Sequence, residues 1–433
     1  MENRERLFLM IGQIIAIGDE LISGRVVNTT SSFAAARLFT AGHKITRITV
    51  IGDEPQDIKE CLNDALKSSQ FILISGGLGP TTDDITNEAV ADALNLPLVQ
   101  NQQVVEQIRN AERRFGHNAS ERFKLKLSML PKGATVLEPK GCAAGYWLSY
   151  QGVYLFFLPG VPEQLEDHIV NRVLPMLNDL DPERPFVAQK IFKLFGLSET
   201  MINIELEELQ DNDRTLKIGY YPVFPEVHVS LTAVESSERK AAKLIKDAAT
   251  LVREKFHDFI VAEDSTGSLQ ATLGQILKQQ GMTLAAAESC TGGLLGATVT
   301  SVPGSSQWFD RSIVTYSNQA KRQNLGVKKE TLSKYGAVSS QTALEMSAGV
   351  KRISGSDCAI AITGIAGPGG GSSEKPVGTV YISLMVNEEQ MVHRFHFPGS
   401  RRDVRILSVE TSLDWLRRYL VHGSKLPGYK PVG

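Results

Sequence analysis

The sequence predicts an α/β protein of several domains, in which a small α+β unit separates two larger α/β units. Its 433 residues suggest three domains at roughly 150 residues each. Strand and helix signals alternate in the first and last thirds of the chain, as in folds built on a parallel sheet. Two stretches, 181–185 and 262–265, interrupt both periodicities with proline or short polar residues. We therefore predict domains at 1–181, 182–263 and 264–433.

Composition and charge exclude several classes of protein. With 42% hydrophobic and 22% charged residues, the chain is neither disordered nor fibrous. A formal charge of −2 gives no support for a protein whose main role is to bind nucleic acid or an anionic membrane. No apolar run approaches the ~18 residues of a membrane span. The four scattered cysteines lack a CxxC pair and fit reduced thiols, so we expect a cytoplasmic protein.

The first unit carries a βαβαβα order, which predicts a doubly wound parallel sheet with helices on both faces. Further strand signals and a closing helix follow it. The predicted strands are 14–17, 44–51, 71–74 and others within 135–158, and the predicted helices are 28–40, 56–67, 86–94, 104–115 and 163–177.

The other two units follow from the same periodicities. The periodicity predicts an α+β middle unit, with strands at 188–195, 216–221 and 227–234 and helices at 199–209 and 238–256. The last unit reads as α/β, with strands at 283–287, 358–362, 378–386 and 390–397 and helices at 269–280, after the glycines 292–293, and at 401–420.

Ser289 lies where a predicted strand passes into a helix, a position suited to a nucleophile. The following glycines admit a substrate, and the helix N-terminus offers amides to an oxyanion. A serine needs a base, and the next strand-like segment, 316–321, carries Tyr316 and Lys321. A desolvated Lys321 can serve as the base, with Tyr316 relaying or orienting the proton. The alternatives are that Ser289 and Thr291 cap the helix, that Tyr316 and Lys321 are surface residues, and that Cys290 is the nucleophile.

Two further elements suit an anionic ligand. The Gly-rich loop 363–371 follows the predicted strand 358–362, and such a loop can hold an anion on backbone amides, or be a flexible turn. Arg401, Arg402 and Arg405 open the last helix, where cations oppose the helix dipole. A phosphate would explain them, and a solvated basic face is the alternative.

Five motifs in the last unit resemble the CinA family (competence/damage-inducible protein A), whose single-domain relatives are nicotinamide-nucleotide amidases. The resemblance implies hydrolysis of the carboxamide of nicotinamide mononucleotide to nicotinate mononucleotide and ammonia, without a cofactor, in pyridine-nucleotide salvage. The motifs are AESCTGG at 287–293, VPGSS at 302–306, VTYSN at 314–318 with Lys321, GAVS at 336–339 and AITGIAGPGGG at 361–371.

By this resemblance Ser289 is the nucleophile and Tyr316 and Lys321 are its activating partners. The residues expected to bind the substrate are Glu288, Thr291, Gly292, Thr363, Gly364, Gly367, Arg401 and Arg405.

In the first unit, two Gly-rich turns, 18–24 and 75–84, follow predicted strands. The carboxyl ends of such strands converge on one crevice, where doubly wound sheets bind ligands. Asp19, Asp83 and Asp84 could hold a divalent cation there while backbone amides hold a phosphate. These aspartates could instead cap helices.

These turns resemble the molybdopterin-binding domain of molybdenum-cofactor biosynthesis proteins and of CinA proteins. In CinA proteins the domain has been linked to metal-dependent pyrophosphate cleavage of ADP-ribose. The chain departs from the family at 141–145 and at Leu127-Ser128, both near the crevice. The expected ligand-site residues are Gly18, Asp19, Glu20, Gly76, Gly77, Gly79 and Lys126, with Asp83 and Asp84 as ligands of Mg, Mn or Co.

The middle unit is similar to the KH module of CinA proteins. The turn at 195–199 lacks the second glycine of the GxxG loop with which KH modules clamp nucleic acid. We therefore expect a spacer or a dimer contact, a homodimer, and small-molecule nucleotides rather than nucleic acid or membrane as partners. Two other functions stay open: ADP-ribose hydrolysis as a second or main activity, and a non-enzymatic recruitment role in competence.

Overall fold

The computed structural model describes residues 10–116, 120–137, 145–207, 209 and 215–423. The expected α/β architecture is confirmed, with two α/β sheets and a four-stranded α+β element between them in the chain. By its internal contacts the chain divides into two compact units. The first comprises 1–189 with 233–245, and the second comprises 190–232 with 246–433.

Among the described residues up to 180 there are eight strands: β1 (Ile11–Ile17), β2 (Lys44–Ile51), β3 (Phe71–Ser75), β4 (Leu98–Gln100), β5 (Met129–Pro131), β6 (Thr135–Val136), β7 (Tyr146–Tyr150) and β8 (Val153–Leu158). Six form one sheet in the order β2-β1-β3-β8-β7-β6, and β4 pairs with β5. The strands β2, β1, β3 and β8 are parallel, whereas β7 and β6 are antiparallel. The predicted parallel sheet is therefore extended by an antiparallel edge.

The inner parallel strands β1, β3 and β8 are mostly apolar because both faces of the sheet are covered there, whereas the edge strand β2 carries exposed polar residues. On β1, Ile15 and Ile17 enter one core while Ile14 enters the other. The helices of the unit are α1 (Asp19–Ile22), α2 (Thr29–Thr40), α3 (Pro55–Leu66), α4 (Thr86–Ala93), α5 (Gln102–Phe115), α6 (Glu121–Ser128), α7 (Pro162–His168) and α8 (Leu174–Leu180). A π-helical turn at Ile169–Val173 joins α7 to α8 just before Pro175, which has no N–H to donate.

The middle sheet has the order β10-β11-β9-β12. Its elements are β9 (Phe186–Phe195), α9 (Glu199–Glu205), β10 (Leu216–Val223), β11 (Glu226–Glu235), α10 (Glu238–Phe256) and β12 (Ile260–Ala262).

The last part of the chain contains the strands β13 (Leu284–Glu288), β14 (Phe309–Val314), β15 (Cys358–Gly364), β16 (Thr379–Val386) and β17 (Glu389–His396). Their order is β14-β13-β15-β16-β17; the first three are parallel and the last two antiparallel. The helices are α11 (Leu269–Gln280), α12 (Leu294–Thr300), α13 (Asn318–Leu325), α14 (Lys329–Tyr335), α15 (Ser340–Ser354) and α16 (Arg401–His422).

The segment between the Ser289 turn and β15 was expected to carry Tyr316 and Lys321 on a strand. That prediction is wrong, because β14 ends at Val314 and a helix begins at Asn318. Lys321 consequently lies on α13, and Tyr316 lies in the connection. No helix among the described residues is long and apolar enough to cross a membrane.

Candidate active site

Ser289 follows the central strand β13. Leu284 and Ala286 pack into one core of this domain, and Ala285 and Ala287 pack into the other. The Ser289 amide donates to the Ile362 carbonyl at 3.0 Å, so the serine is held at the carboxyl edge of the sheet. Its exposed fraction is 8%.

The turn after Ser289 depends on two glycines. Gly292 and Gly293 have φ values of 60° and 93°, in the left-handed region that side chains rarely adopt. They reverse the chain into α12. The expected strand–turn–helix setting of the serine is therefore present, and the positive φ of the backbone explains the glycine at position 292.

Lys321 contacts the serine directly. Its Nζ donates to Ser289 Oγ at 2.9 Å and to the Thr315 carbonyl at 2.8 Å. The side chain is only 1% exposed, and this burial lowers the pKa of Lys321 to about 8. A lysine with that pKa supplies an unprotonated amine near neutral pH, which is what a general base needs.

Cys290, the alternative nucleophile, is buried beside the serine. Burial raises the pKa of its thiol to about 11. Since the thiolate is the reactive form of cysteine, the structure favours Ser289 over Cys290.

Glu288 was expected to bind substrate, but its carboxylate points into the protein. Three amides donate to it, those of Gly293 at 2.9 Å, Leu295 at 3.1 Å and Gly296 at 2.9 Å, and so does Ser312 Oγ at 2.6 Å. Glu288 thus holds the turn and the start of α12. These three amides are occupied, which corrects the expectation that the helix N-terminus is free for an oxyanion.

Thr291 is also turned inward. Its side chain is fully buried, and its Oγ1 has no hydrogen-bond partner among the described residues. Its carbonyl accepts two hydrogen bonds from Arg405, from Nε at 3.1 Å and Nη2 at 2.6 Å. The prediction that Thr291 binds substrate stays a prediction.

Arg401 connects two of the five motifs, which are distant in the sequence. Its Nη1 donates to the Gly367 carbonyl at 2.7 Å, and its Nη2 donates to the Tyr316 hydroxyl at 2.9 Å. Arg401 and Arg405 are four residues apart on α16, so they lie on one face of that helix. Tyr316 is 62% exposed, and the hydrogen bond that the structure gives its hydroxyl is with Arg401.

The loop after β15 is held by packing. Thr363 is buried and its Oγ1 donates to the Ala337 carbonyl at 2.7 Å. A Cβ on Gly364 would lie 2.7 Å from Val380 Cγ2, and Gly367 has a φ of 84°. These three predicted substrate residues therefore each have a structural role in shaping the loop.

A second candidate site lies in the first unit, at the carboxyl ends of β1 and β3. It is a cleft of about 350 Å³, and its walls come mainly from the Gly-rich turns, the start of α2 and the turn after β8. Of the predicted residues, Gly18, Glu20, Gly76, Gly77, Gly79, Asp83 and Asp84 line it.

Two glycines beside the cleft permit close contacts, one with the end of β1 and one with the start of α4. A Cβ on Gly76 would lie 2.1 Å from the Ile17 carbonyl oxygen, and one on Gly77 would lie 2.2 Å from Thr86 Oγ1. Both have positive φ values, of 100° and 64°. Neither position tolerates a side chain, so close backbone packing explains them.

Asp53 lines the same cleft and was not among the predicted residues. Its Oδ2 accepts from the Asp19 amide at 2.9 Å, and its own amide donates to Asp19 Oδ1 at 3.2 Å. Burial raises the pKa of Asp53, and the charges of Asp19, Glu20 and Asp83 raise it further. This crowding of negative charge is a property of the fold, because Asp53 follows β2 and reaches the cleft only when β2 pairs with β1.

The two predicted metal ligands behave differently. Asp84 Oδ2 accepts from the amide of Thr81 at 2.8 Å and from its hydroxyl at 2.5 Å, so Asp84 closes its own turn. Lys126 donates to the Thr81 carbonyl and braces that turn. Asp83 is exposed, and the pKa of its carboxyl is lowered by a hydrogen bond from Thr81. Within the described ranges, neither aspartate belongs to a group of three ligand atoms close enough to share an ion.

Comparisons with known proteins match three successive parts of the chain. Family models match as CinA C-terminal domain over 266–420, "Probable molybdopterin binding domain" over 13–179 and Damage-inducible protein CinA KH domain over 189–262. A CinA-like protein from Desulfotalea psychrophila is 43% identical over 411 residues, which cover 94% of this chain and 98% of that protein. The chain belongs to the CinA family.

Other CinA proteins are similarly close. A CinA-like protein from Geobacter sulfurreducens is 38% identical over 94% of this chain and 98% of its own length. The crystal structure of competence/damage inducible protein CihA from Agrobacterium tumefaciens is 42% identical, covers 35% of this chain and 93% of that chain, and has a TM-score of 0.35. The family models and the relatives from Desulfotalea psychrophila and Geobacter sulfurreducens confirm the family resemblance expected from the motifs.

In this CinA protein the fold brings Ser289 and Lys321 into contact, and it groups Tyr316 with Arg401 and Gly367. Sequence reasoning missed Thr315, whose carbonyl accepts from Lys321. A backbone acceptor leaves no residue-type signal, so only the structure could find it. Of the family departures noted above, residues 141–144 lie outside the described residues.

Proposed function

We propose that the C-terminal domain is a serine amidase that hydrolyses the carboxamide of nicotinamide mononucleotide. The contact between Lys321 Nζ and Ser289 Oγ, 2.9 Å apart at a buried position, carries this proposal. Both groups are shielded from water, and the lysine has the lowered pKa that the base of such a pair requires. The reaction needs no metal and no cofactor.

The proposed chemistry begins with the neutral amine of Lys321 taking the proton of Ser289 Oγ as that oxygen attacks the carboxamide carbon. The Lys321 ammonium then gives the proton to the leaving nitrogen, the C–N bond breaks, and ammonia departs. Water attacks the resulting ester while Lys321 accepts its proton. Lys321 then passes this proton to Ser289 Oγ as the C–O bond to serine breaks, which releases nicotinate mononucleotide and restores the free serine and the neutral amine. The amide of Cys290, which follows the nucleophile, is the backbone donor that we propose for the oxyanion.

The 5′-phosphate is the part of the substrate that distinguishes a nucleotide from a free amide. We propose that Arg401 and Arg405 recognise it, because both lie on the face of α16 that contacts the Ser289 turn and the 363–371 loop. Guanidinium groups match phosphate oxygens in geometry and charge. Tyr316, hydrogen-bonded to Arg401, would orient that arginine and, through it, the substrate.

The test is release of ammonia and nicotinate mononucleotide from nicotinamide mononucleotide in the presence of EDTA. We expect wild type to be active and Ser289→Ala to be inactive, while the matched control Cys290→Ala retains activity within a few-fold. Activity that survives in Ser289→Ala and disappears in Cys290→Ala would overturn the assignment of the nucleophile. A folded wild-type protein that releases neither product would overturn the amidase proposal.

A second activity is proposed for the N-terminal cleft, the metal-dependent cleavage of the pyrophosphate of ADP-ribose. The crowded carboxylates support it, since Glu20, Asp53 and Asp83 are hard oxygen donors beside amide-rich turns. Because no three of these carboxylates among the described residues lie close enough to share an ion, one or two of them would hold a divalent cation together with the diphosphate oxygens of the substrate, and the cation would neutralise diphosphate charge. The assay is AMP release from ADP-ribose with Mg²⁺, Mn²⁺ or Co²⁺. Activity independent of metal, or none in folded protein, would reject it.

We further propose that the protein works in the cytoplasm as a homodimer acting on small-molecule nucleotides. Light scattering of the purified chain tests the dimer.

The non-enzymatic alternative, recruitment in competence, is separable by Ser289→Ala, because a scaffold should tolerate a small change at a pocket serine.

A further inference from the structure

A cluster of three side chains lies outside both candidate sites. His257 and Asp258 are in the turn after α10, and His422 is the last residue of α16. His422 Nε2 lies 2.8 Å from Asp258 Oδ1, and His257 Nε2 lies 3.1 Å from the same oxygen. In the part of the chain that the structure describes, this is the one group of three such residues whose ligand atoms all lie within 4.8 Å of one another.

The shared oxygen is unsatisfied. Asp258 Oδ1 is buried and has no aligned hydrogen-bond donor among the described residues, although two ring nitrogens are close to it. The two imidazoles meet edge to face, with ring centroids 5.9 Å apart. Three ligand atoms therefore surround one small region without hydrogen bonds that would account for their approach.

We propose that His257, Asp258 and His422 form a binding site for Zn²⁺, with water as the fourth ligand. Imidazole nitrogens and a carboxylate oxygen are a common donor set for zinc and a poor one for Mg²⁺ or Ca²⁺. Ligand atoms about 2.1 Å from a tetrahedral ion are about 3.4 Å apart. The observed separations of 2.8 and 3.1 Å need only a slight opening to reach that value.

The backbone that carries these ligands is already held in place. Arg417 Nη2 donates to the Asp258 carbonyl at 2.5 Å, and the Arg418 guanidinium lies 4.8 Å from the centre of the Phe259 ring. Both arginines are anchored by the fully buried carboxylate of Asp414. Little ordering is left for the metal to impose, which favours binding.

The bound ion would fasten the end of α16 to the turn that leads from α10 into β12. Because zinc would bind the folded chain through residues that are far apart in the unfolded one, it would raise the melting temperature by mass action. This site is independent of the amidase and of the N-terminal cleft.

The test uses the full chain without a histidine tag, treated with EDTA and then dialysed free of it. Titration with ZnCl₂ by calorimetry should give one ion per chain and a rise in melting temperature. We expect His422→Gln and the more exposed His257→Gln each to weaken zinc binding by roughly 10- to 100-fold. His396→Gln, an exposed histidine outside the cluster, is the matched control and should bind as wild type does.

Three outcomes would overturn the proposal. The first is that wild type binds no zinc at about 100 µM, a concentration at which a site of this kind should be filled. The others are that His257→Gln binds zinc as tightly as wild type does, or that the His396→Gln control loses as much zinc affinity as the cluster variants do. Circular dichroism verifies that each variant is folded, and His257→Gln keeps the test decisive should His422→Gln unfold. Amidase activity measured in EDTA should be the same in all these proteins.

Discussion

The two candidate sites occupy equivalent places and have opposite electrostatics. Each lies at the carboxyl edge of parallel strands, after β13 and β15 in one case and after β1 and β3 in the other. In the C-terminal site a single cation, Lys321, is buried without a carboxylate partner among the described residues. In the N-terminal cleft, Asp53 is crowded by Asp19, Glu20 and Asp83.

Burial produces different chemistry in the two sites according to the group that is buried. Desolvation disfavours the charged form, so it lowers the pKa of Lys321 and raises that of Asp53. The first effect creates a base beside a hydroxyl. The second leaves the negative charge of Asp53 unfavourable, and a bound cation would neutralise that charge. The fold provides the place, and the residues buried there determine the reaction.

The largest expected effect comes from removing the buried amine. Lys321→Met should lower kcat for the amidase by about 10³-fold or more, because Ser289 loses its base. Lys321→Arg should be equally inactive, since a guanidinium does not deprotonate. The melting temperature of Lys321→Met should not fall, because the variant removes an unpaired buried charge. Amidase activity above about a tenth of wild type in either variant would contradict the proposal that Lys321 is the base for Ser289.

The pH dependence comes next in size. With a pKa of about 8 in the folded protein, the amidase kcat/KM should rise about tenfold per pH unit below pH 8 and level off above it. Between pH 8 and 10.5 the folded state binds fewer protons at Lys321 than the unfolded state. The free energy of unfolding should therefore increase with pH across that window, by about 3 kcal/mol from this group. Lys321→Met should remove this increase, and an unchanged profile would contradict the assignment.

The proposed phosphate contact is tested by a neighbouring pair of arginines. Arg401→Gln should raise KM for nicotinamide mononucleotide by about tenfold, because a charge-assisted contact is lost. Arg402→Gln makes the same charge change at the adjacent exposed position and should leave KM within about twofold. Equal effects would mean that only the general positive field at the start of α16 matters.

Tyr316→Phe should have a smaller effect. The variant loses one hydrogen bond to Arg401 at an exposed position, worth about 1 kcal/mol, so KM should rise about fivefold with kcat nearly unchanged. Steady-state kinetics separates the two parameters. A fall in kcat of about 100-fold would instead assign Tyr316 to proton transfer, as the family resemblance implies.

The smallest expected effect is on stability in the N-terminal cleft. Asp53→Asn keeps an oxygen for the Asp19 amide and removes a repelled charge, so the melting temperature at pH 7 should rise slightly. The sign follows from the raised pKa of Asp53, because stability falls as pH increases through that pKa. Amidase activity should be unchanged, whereas divalent-cation binding at the cleft should weaken. A lower melting temperature would show that the carboxylate is favourably paired.

Periodicity predicted the regular elements that bury a continuous apolar face. The helices 238–256 and 269–280 were predicted with their observed bounds. The segment 309–325 was not, for two physical reasons. Strand β14 (FDRSIV) is an edge strand with exposed polar residues, and α13 (NQAKRQNL) is almost entirely polar. Neither has a periodic apolar face, since α13 turns Lys321 inward where an apolar residue would be expected.

What the sequence alone determined was local: the family, the strand–turn–helix setting of Ser289, and the two Gly-rich edges that form the candidate sites. Covalent neighbours and residue periodicity encode these features. Tertiary structure alone decided that Lys321 is buried against the serine, that Glu288 faces inward, that Asp53 joins the acidic cleft, and that His422 meets Asp258. Hydrogen bonding and pKa depend on burial and on groups distant in the chain, which no local pattern specifies.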